Sequence, residues 1–335
     1  MKKSKLTDSN TSSKPVKVII VTMFERGTPH DDDPGELELW VKKEKLTPIP
    51  FPTGKTDLYV NRNGLLAVLT GMGATNAAST VMALGCDPRF DLSKTYWIVA
   101  GIAGVDPLDA SIGSAAWARY VVDGDIMHEV DSSETPEDWP YGKVSLSSNK
   151  PNHRIPGPSD SDIVYKLNND LVEWAYHLTK DYPLKDYPEL SRFRAQFKGY
   201  PQATKPPVII KGDSLGSSSY WHGQILNKWA NDWVKLYTNG EGNFVMANME
   251  DNGTAKALKL LTKSGLADYN RLLVLRTASN YTMPPPGEDA QWHFTAPFIL
   301  NGFPSFDTAY RLGSMVAHEL MENWDKYEEE TPQPP

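Results

Sequence analysis

Residues 57–85, DLYVNRNGLLAVLTGMGATNAASTVMALG, contain the pattern that decides the fold. Within Asp57–Thr70, two strand-like halves flank an Arg62-Asn63-Gly64 turn, which predicts a β-hairpin. A glycine loop, Gly71-Met72-Gly73, follows the second half, and the small residues from about Thr75 to Gly85 predict a closely packed helix. The order of strand, glycine loop and helix favours an α/β sheet that binds a ligand at the loop.

The rest of the chain repeats this alternation. Val16–Thr22 (VKVIIVT) is a continuous β-branched run, as expected for a strand covered on both faces. Strands that are separated by helices imply crossover connections and a largely parallel or mixed sheet. The other predicted strands are Tyr96–Ala100, Ala115–Val122, Pro207–Lys211 and Leu272–Thr277, and the other predicted helices are Ser161–Thr179 (capped by Asp160 or Ser161), Asn248–Lys263 and about Phe306–Tyr327.

Length and composition fit one large domain. The chain has 335 residues, of which 40% are hydrophobic and 23% charged. We predict a single three-layer α/β domain over residues 16–327, with a central mixed, twisted sheet flanked by helices. Residues 134–205 form an insertion-rich region, which opens with a stretch rich in Pro, Ser, Asn and charge. The polar segments 1–15 and 328–335 are predicted to be a disordered leader and a disordered tail.

Charge and cysteine content narrow the classes of function. A formal net charge of -8 disfavours nucleic acid as a partner, and no segment approaches the roughly 20 apolar residues of a membrane span. Cys86 is the only cysteine, so an intrachain disulfide and the zinc-finger ligand sets are excluded. This composition slightly favours the cytoplasm, while a secreted or cell-surface protein with a removed signal peptide stays an alternative.

Five segments resemble a known family in their wording and in their order along the chain. They are TGMGATNAAST (70–80), VAGIAGVDP (99–107) with the following AAWARYVVDGD (115–125), GDSLGSSSYWHG (212–223), NMEDNGTA (248–255) and RTASNYT (276–282). Together they resemble the nucleoside phosphorylase and nucleosidase superfamily, and most closely the purine nucleoside permease family. The resemblance implies a nucleoside phosphorylase-like fold and cleavage of the base–ribose bond of inosine, guanosine or adenosine.

The resemblance also implies which residues hold the two ends of the nucleoside. Met249 and Glu250 would bind the ribose, where a carboxylate rejects sugars that lack its hydroxyl partners. Ser279 and Asn280 would bind the departing purine, because an amide both accepts and donates hydrogen bonds. An Asn at this position favours 6-oxopurines without excluding adenosine. Taken alone, Glu250 would be interpreted as a helix-start carboxylate and Asn280 as a turn residue.

Other segments are predicted to complete the binding site. Gly73, Thr75 and Asn76 belong to a backbone-donor loop at a helix N-terminus, suited to phosphate or a polarised water, although tight strand-to-helix packing accounts for it equally well. Arg119 and Arg276 would add positive charge beneath this loop or form structural ion pairs. The remaining candidates are Ala103 and Gly104 in the second motif, and Tyr220, Trp221 and His222, which form either an aromatic wall for the base or a buried aromatic cluster.

The nucleophile is predicted to be water, activated by a glutamate. In hydrolytic relatives a glutamate in the loop after the first strand acts as the base, and here PGELELW (34–40) supplies Glu36 and Glu38. We prefer Glu36, with Glu25 as its rival. The Gly-Asp-x-x-Arg phosphate signature of many phosphorylases is missing after the first strand, which favours hydrolysis. The alternatives are a phosphate-dependent purine nucleoside phosphorylase and a non-catalytic nucleoside-binding protein that assists uptake.

The acidic run Asp31-Asp32-Asp33 superficially resembles the calcium site of the inosine-uridine hydrolases. It comes about nine residues after the first predicted strand, however, and no second ligand cluster supports it. We therefore predict an enzyme that needs neither a metal ion nor a cofactor. Family habit adds the expectation of a homo-oligomer.

Overall fold

The computed structural model describes residues 16–30 and 32–335; the predicted leader (1–15) and Asp31 lie outside the described residues. The strands are β1 Val18–Thr22, β2 Thr47–Ile49, β3 Leu58–Val60, β4 Leu65–Leu69, β5 Tyr96–Val105, β6 Ala115–Trp117, β7 Tyr120–Asp123, β8 His128–Glu129, β9 Lys143–Val144, β10 Val164–Lys166, β11 Ile209–Lys211, β12 Asp213–Gly216, β13 Phe244–Asn248 and β14 Leu272–Tyr281.

Nine α-helices are found in the described ranges, and three short 3₁₀ turns at Pro158–Asp162, Tyr269–Arg271 and Ile299–Gly302 accompany them. The helices are α1 Glu38–Lys43, α2 Ala74–Gly85, α3 Asn169–Thr179, α4 Pro188–Arg194, α5 Gln224–Tyr237, α6 Asp251–Lys263, α7 Trp292–Thr295, α8 Phe303–Glu322 and α9 Trp324–Tyr327. Among the residues that the structure covers, no helix combines the length and the apolar character that a membrane span requires.

One large sheet organises the molecule, with β5 at its centre. This strand pairs in parallel with β1 and β14 and antiparallel with β13. On the far side of β1 lies β4, also parallel, and β3 forms the predicted hairpin with β4. The sheet is mixed and is flanked by helices: α8 packs against β5 and β14, and α6 packs against α2, β7 and β12. The predicted fold class is therefore confirmed.

The burial of β1 explains its composition. Every residue of Val18–Thr22 is buried, because the strand lies between β4 and β5 and is covered on both faces. A strand in this position has no exposed face to carry polar residues, so its sequence is a continuous apolar run instead of an alternating one.

The predicted helix Ser161–Thr179 is wrong in its first half. Neither Asp160 nor Ser161 caps it, because Pro158–Asp162 is a 3₁₀ turn and β10 follows as an edge strand on β7. The helix begins at Asn169, after the Asn168 side chain accepts hydrogen bonds from the N–H groups of Asp170 and Leu171. Strand pairing overrides the helical spacing of the apolar residues here.

Several other boundaries differ from the prediction, and β5 and β14 continue to Val105 and Tyr281, past the predicted ends at Ala100 and Thr277. Ala115–Val122 is two strands, because the Asp213 carboxylate accepts from the N–H groups of Arg119 and Tyr120 at the break between β6 and β7. The predicted helix Asn248–Lys263 begins at Asp251, since Asn248 ends β13. The terminal helix is α8 followed by the short α9. The last segment, 328–335, contains no helix or strand, and the Arg271 guanidinium hydrogen-bonds its first carbonyl groups.

Candidate active site

A cavity of about 410 Å³ lies at the carboxyl ends of β1, β5, β13 and β14. Ligands of α/β sheets bind beyond the carboxyl ends of parallel strands, and β1, β5 and β14 are parallel here. Eight of the predicted site residues line this one cavity although they are far apart in the sequence: Glu36, Ala103, Gly104, Tyr220, Met249, Glu250, Ser279 and Asn280.

The three predicted residues of the glycine loop lie elsewhere. The Gly73 N–H donates to Glu250 Oε1 at 3.3 Å, so this glycine contacts a cavity residue but does not line the cavity itself. Thr75 and Asn76 are exposed in the first turn of α2, and the Asn76 amide donates to the Met72 carbonyl at 2.8 Å. Because the helix directs both side chains to its surface, the structure does not bring Thr75 and Asn76 to the cavity, contrary to the prediction.

Glu36 is fixed in the cavity wall by three backbone donors. Its Oε2 accepts from the N–H groups of Met23 at 2.7 Å and Phe24 at 3.0 Å, and its Oε1 accepts from Ile102 at 2.7 Å. A carboxylate offers about four lone-pair positions, so one remains for a ligand. Burial raises the pKa of Glu36 to about 7, against the lowering effect of Arg276. A carboxylate with this pKa is matched to proton transfer near neutral pH.

Glu25, the alternative candidate for the base, stabilises the backbone of the loop before α1. Its two oxygens accept from the N–H groups of Arg26, Gly35, Leu37 and Glu38, and the last two are the free donors at the start of α1. Glu25 does not line the cavity, whereas Glu36 does. Geometry therefore favours Glu36.

Glu250 lies in the cavity wall with a guanidinium partner. It is 4% exposed, and its Oε2 accepts from Arg276 Nη2 at 3.0 Å. Burial raises the pKa of Glu250, while the Arg276 charge opposes this shift. The carboxylate also accepts from the N–H groups of Gly73 at 3.3 Å and Met249 at 3.2 Å, so about one lone-pair position remains for a ligand hydroxyl group.

Arg276 is the buried cation of the site, and Arg119 is not part of it. Arg276 is 2% exposed, lines the cavity and forms ion pairs with Glu250 and Asp251. Arg119 instead pairs with Asp213 at 3.3 Å and donates to the Glu241 carbonyl. The sequence did not decide whether either arginine belongs to the binding site or to a structural ion pair. In the structure Arg276 lines the cavity, and Arg119 forms an ion pair away from it.

A bulge in β14 brings Ser279 and Asn280 to the cavity. The pairing of β14 with β5 shifts by one residue between Ala278 and Asn280, so Ser279 is the extra residue. Bulges of this kind re-aim side chains beside functional sites. Ser279 Oγ donates to Asn280 Oδ1 at 3.0 Å, and Asn280 Nδ2 donates to the Tyr281 carbonyl at 3.1 Å. The amide thus keeps one N–H and one lone pair for a ligand.

The aromatic residues after β12 are only partly cavity residues. Tyr220 and Trp221 line the cavity, and Tyr220 is 60% exposed, at the mouth. His222 does not line it; its ring stacks on His293 with 4.2 Å between centroids. Tyr220 and Trp221 therefore contribute aromatic surface to the cavity, and His222 belongs to an aromatic cluster with His293.

The cavity depends on the missing side chain of Gly101. A Cβ at this position would lie 2.2 Å from Met23 Cε, 2.6 Å from Glu36 Oε1 and 2.9 Å from Arg276 Nη1. We expect Gly101→Ala to displace both charged groups and to lower turnover at least about 10-fold, since small displacements of catalytic groups are costly. Gly157→Ala is the matched control, because nothing lies within 4 Å of that Cβ. Equal turnover of the two variants would contradict the expectation.

The acidic run after β1 has partners of its own. Asp32 accepts from Thr28 N–H at 2.7 Å, and Asp33 pairs with Arg26 at 2.6 Å. Within residues 16–30 and 32–335, no group of three or more His, Cys, Asp or Glu side chains could hold a metal ion. Metal independence stays a prediction.

Comparison with known sequences shows that this chain is similar to proteins named purine nucleoside permease. The sequence profile of that family matches residues 15–332. A Candida albicans protein named purine nucleoside permease is 32% identical over 274 residues, which are 81% of this chain and 67% of that protein. A probable purine nucleoside permease from Schizosaccharomyces pombe is 33% identical over 222 residues, 63% of each chain. The chain thus spans about two thirds of the length of these relatives.

Comparison with solved structures identifies the same fold in nucleosidases. The 5'-methylthioadenosine/S-adenosylhomocysteine nucleosidase from Neisseria meningitidis superposes with a TM-score of 0.53, 13% identity and coverage of 91% of this chain and 100% of that one. For the Helicobacter pylori enzyme the TM-score is 0.54, the identity 15% and the coverage 91% and 99%. At this identity the likeness concerns the fold, and it agrees with the predicted nucleoside phosphorylase-like architecture.

Proposed function

We propose that this chain, which belongs to the purine nucleoside permease family, hydrolyses the N-glycosidic bond of purine nucleosides. The observation that carries the proposal is the convergence of Glu36, Glu250 and Asn280 on one cavity of about 410 Å³. These groups are a base of suitable pKa, an acceptor for sugar hydroxyls and an amide for the purine. Together they match the requirements of the reaction.

The reaction follows from the position of these groups. The C1′–N9 bond breaks, its electron pair goes to the purine, and the ribose acquires oxocarbenium character that nearby carboxylates stabilise. Glu36 takes a proton from a water molecule as the water oxygen bonds to C1′. The free N–H of the Asn280 amide stabilises the departing purine anion, which then takes a proton from solvent, while Glu36 releases its proton to solvent. The products are ribose and free base.

The charges around the cavity support water over phosphate as the nucleophile. In the described part of the chain, the one guanidinium that lines the cavity is that of Arg276, which is committed to Glu250 and Asp251. The N–H groups of Gly73 and Ala74 in the glycine loop donate to Glu250 and to Ser218 Oγ. A phosphate ion would meet the carboxylates Glu36 and Glu250 with no uncommitted cation to offset them.

Incubation of the purified chain with inosine, guanosine, adenosine and uridine, with and without phosphate, tests this function. We expect free purine base in phosphate-free buffer and little or no uracil. Release that strictly requires phosphate would favour a phosphorylase. If no free base is released in the buffer with phosphate or in the buffer without it, catalysis is contradicted.

A nucleoside-binding protein that assists uptake is the second candidate. The observation that favours it is Asn280, because an amide has no ionisable proton to give to the leaving purine. Relatives of this chain also carry the name permease. Calorimetric binding of a purine nucleoside that persists without any release of base would favour this role over hydrolysis.

The pH profile of turnover should report the protonation of Glu36. The carboxyl must be ionised to accept a proton, and its pKa is raised to about 7 by burial. We therefore expect kcat/KM to fall as the pH drops below about 7. A profile that stays flat far into the acidic range would argue against Glu36 as the base.

A further inference from the structure

Asp251 is a fully buried carboxylate that the proposed reaction does not use. It begins α6 directly after Glu250. Its Oδ1 accepts from Arg276 Nε at 3.0 Å and from Arg276 Nη2 at 2.6 Å, and its Oδ2 accepts from Ser214 Oγ at 2.5 Å. Both oxygens are thus occupied by strong partners, and the carboxylate is rigidly held.

The other contacts of Arg276 orient it along the same side of the cavity. Nη2 also donates to Glu250 Oε2 at 3.0 Å, and Nη1 donates to the Ile102 carbonyl at 2.8 Å. Each of the three guanidinium nitrogens therefore has a partner.

Glu36 is nevertheless a neighbour of this guanidinium. Glu36 Oε1 and Arg276 Nη1 lie 2.6 Å and 2.9 Å from the same point, the Cβ position that Gly101 leaves empty. The charged groups that act on Glu36 are Arg276 from β14 and Glu250 from the start of α6. A small movement of Arg276 toward Gly101 would bring it into an ion pair with Glu36.

We propose that Asp251 is a positioning residue: it fixes the Arg276 guanidinium beside α6 and so prevents an ion pair between Arg276 and Glu36. This inference rests on the proposed function, because it concerns the base of that reaction. An ion pair with arginine stabilises an ionised carboxylate and reduces its affinity for a proton. A base weakened in this way takes the proton of water less readily. Asp251 thereby maintains the basicity of Glu36 without touching the substrate.

Asp251→Asn is the direct test. Asn keeps the shape of the side chain and can still contact Arg276 and Ser214, but it lacks the charge that holds the guanidinium. Arg276 already lowers the pKa of Glu36 from its present position, and the attraction grows as the two charges approach an ion pair, so we expect the acidic limb of the kcat/KM profile to move to lower pH by about one unit. A purely structural role would lower stability and leave the limb where it is.

Asp213→Asn provides the matched control. Asp213 is also fully buried and also pairs with an arginine, at 3.3 Å from Arg119, but neither residue lines the cavity. The control should melt at a lower temperature than wild type and keep the wild-type acidic limb. Should Asp251→Asn fail to fold, Ser214→Ala removes one hydrogen bond from the Asp251 carboxylate and is expected to shift the limb in the same direction by less.

The outcomes separate this inference from the function on which it rests. Wild-type release of base in phosphate-free buffer is measured first, and its absence contradicts the proposed function. If wild type is active and its acidic limb coincides with that of Asp251→Asn, or with that of Ser214→Ala when only this variant folds, the role of Asp251 is overturned while the function stands.

Discussion

Glu36→Gln is expected to lower kcat for base release by about 100-fold to 10,000-fold, which is the usual contribution of a general base. The amide cannot accept a proton from water. It also turns an NH₂ group toward at least one of the backbone donors of Met23, Phe24 and Ile102, which now point at carboxylate oxygens. Single-turnover measurements of purine release isolate this effect on the chemical step, because they exclude product release.

The control for this variant is Glu25→Gln. The substitution is the same, and Glu25 also accepts from backbone N–H groups, but it lies outside the cavity. We expect lower thermal stability and a far smaller loss of kcat, because the start of α1 is loosened while the base is retained. A Glu36→Gln enzyme that turns over as fast as Glu25→Gln would remove Glu36 from the mechanism.

Glu250→Ala should lower kcat/KM for purine ribonucleosides about 10-fold to 100-fold, since a hydrogen bond to a charged group contributes about 1.5–3 kcal/mol and a sugar hydroxyl loses its acceptor. The deletion also removes one of the two carboxylate partners of Arg276. Steady-state kinetics with a ribonucleoside and its 2′,3′-dideoxy analogue measure the effect.

Glu250→Gln, tested with the same pair of substrates, separates recognition from general damage. We expect wild type to prefer the ribonucleoside, because the dideoxy analogue leaves the remaining lone pair of the buried carboxylate without a donor. Both variants should lose most of this preference. A variant that is slow but discriminates as wild type does would show that Glu250 binds something other than the sugar hydroxyls.

Local sequence patterns were sufficient for the fold. The buried run of β1, the hairpin of β3 and β4, and the glycine loop before α2 are all local signals, and each element occurs as predicted. Predictions failed where pairing with a distant segment decided the structure. Residues of β10 were predicted to be helical, but they form a strand because they pair with β7. The break between β6 and β7 is stabilised by Asp213, which is distant in sequence.

The sequence predicted that several candidate residues lie together, but it did not predict how the charges around them are arranged. Family motifs pointed to Glu36, Glu250 and Asn280, and all three line one cavity. Asp251 stands beside Glu250 in the sequence, yet nothing in NMEDNG indicates that it pairs with Arg276. The tight approach of Met23, Glu36 and Arg276 to Gly101 likewise depends on three separate segments. Thr75 and Asn76 were also predicted to lie at the binding site and do not line the cavity, since the direction of their side chains depends on where α2 begins.

The central claim is that one nucleoside bridges Glu250 and Asn280 with its C1′ within reach of Glu36. A crystal structure with a purine C-nucleoside, whose carbon–carbon glycosidic bond resists hydrolysis, measures this directly. The claim predicts electron density in which the sugar hydroxyls contact Glu250, the purine contacts Asn280, and a water molecule lies between Glu36 and the anomeric carbon. Density in another part of the molecule, or a ligand in the reverse orientation, would contradict it.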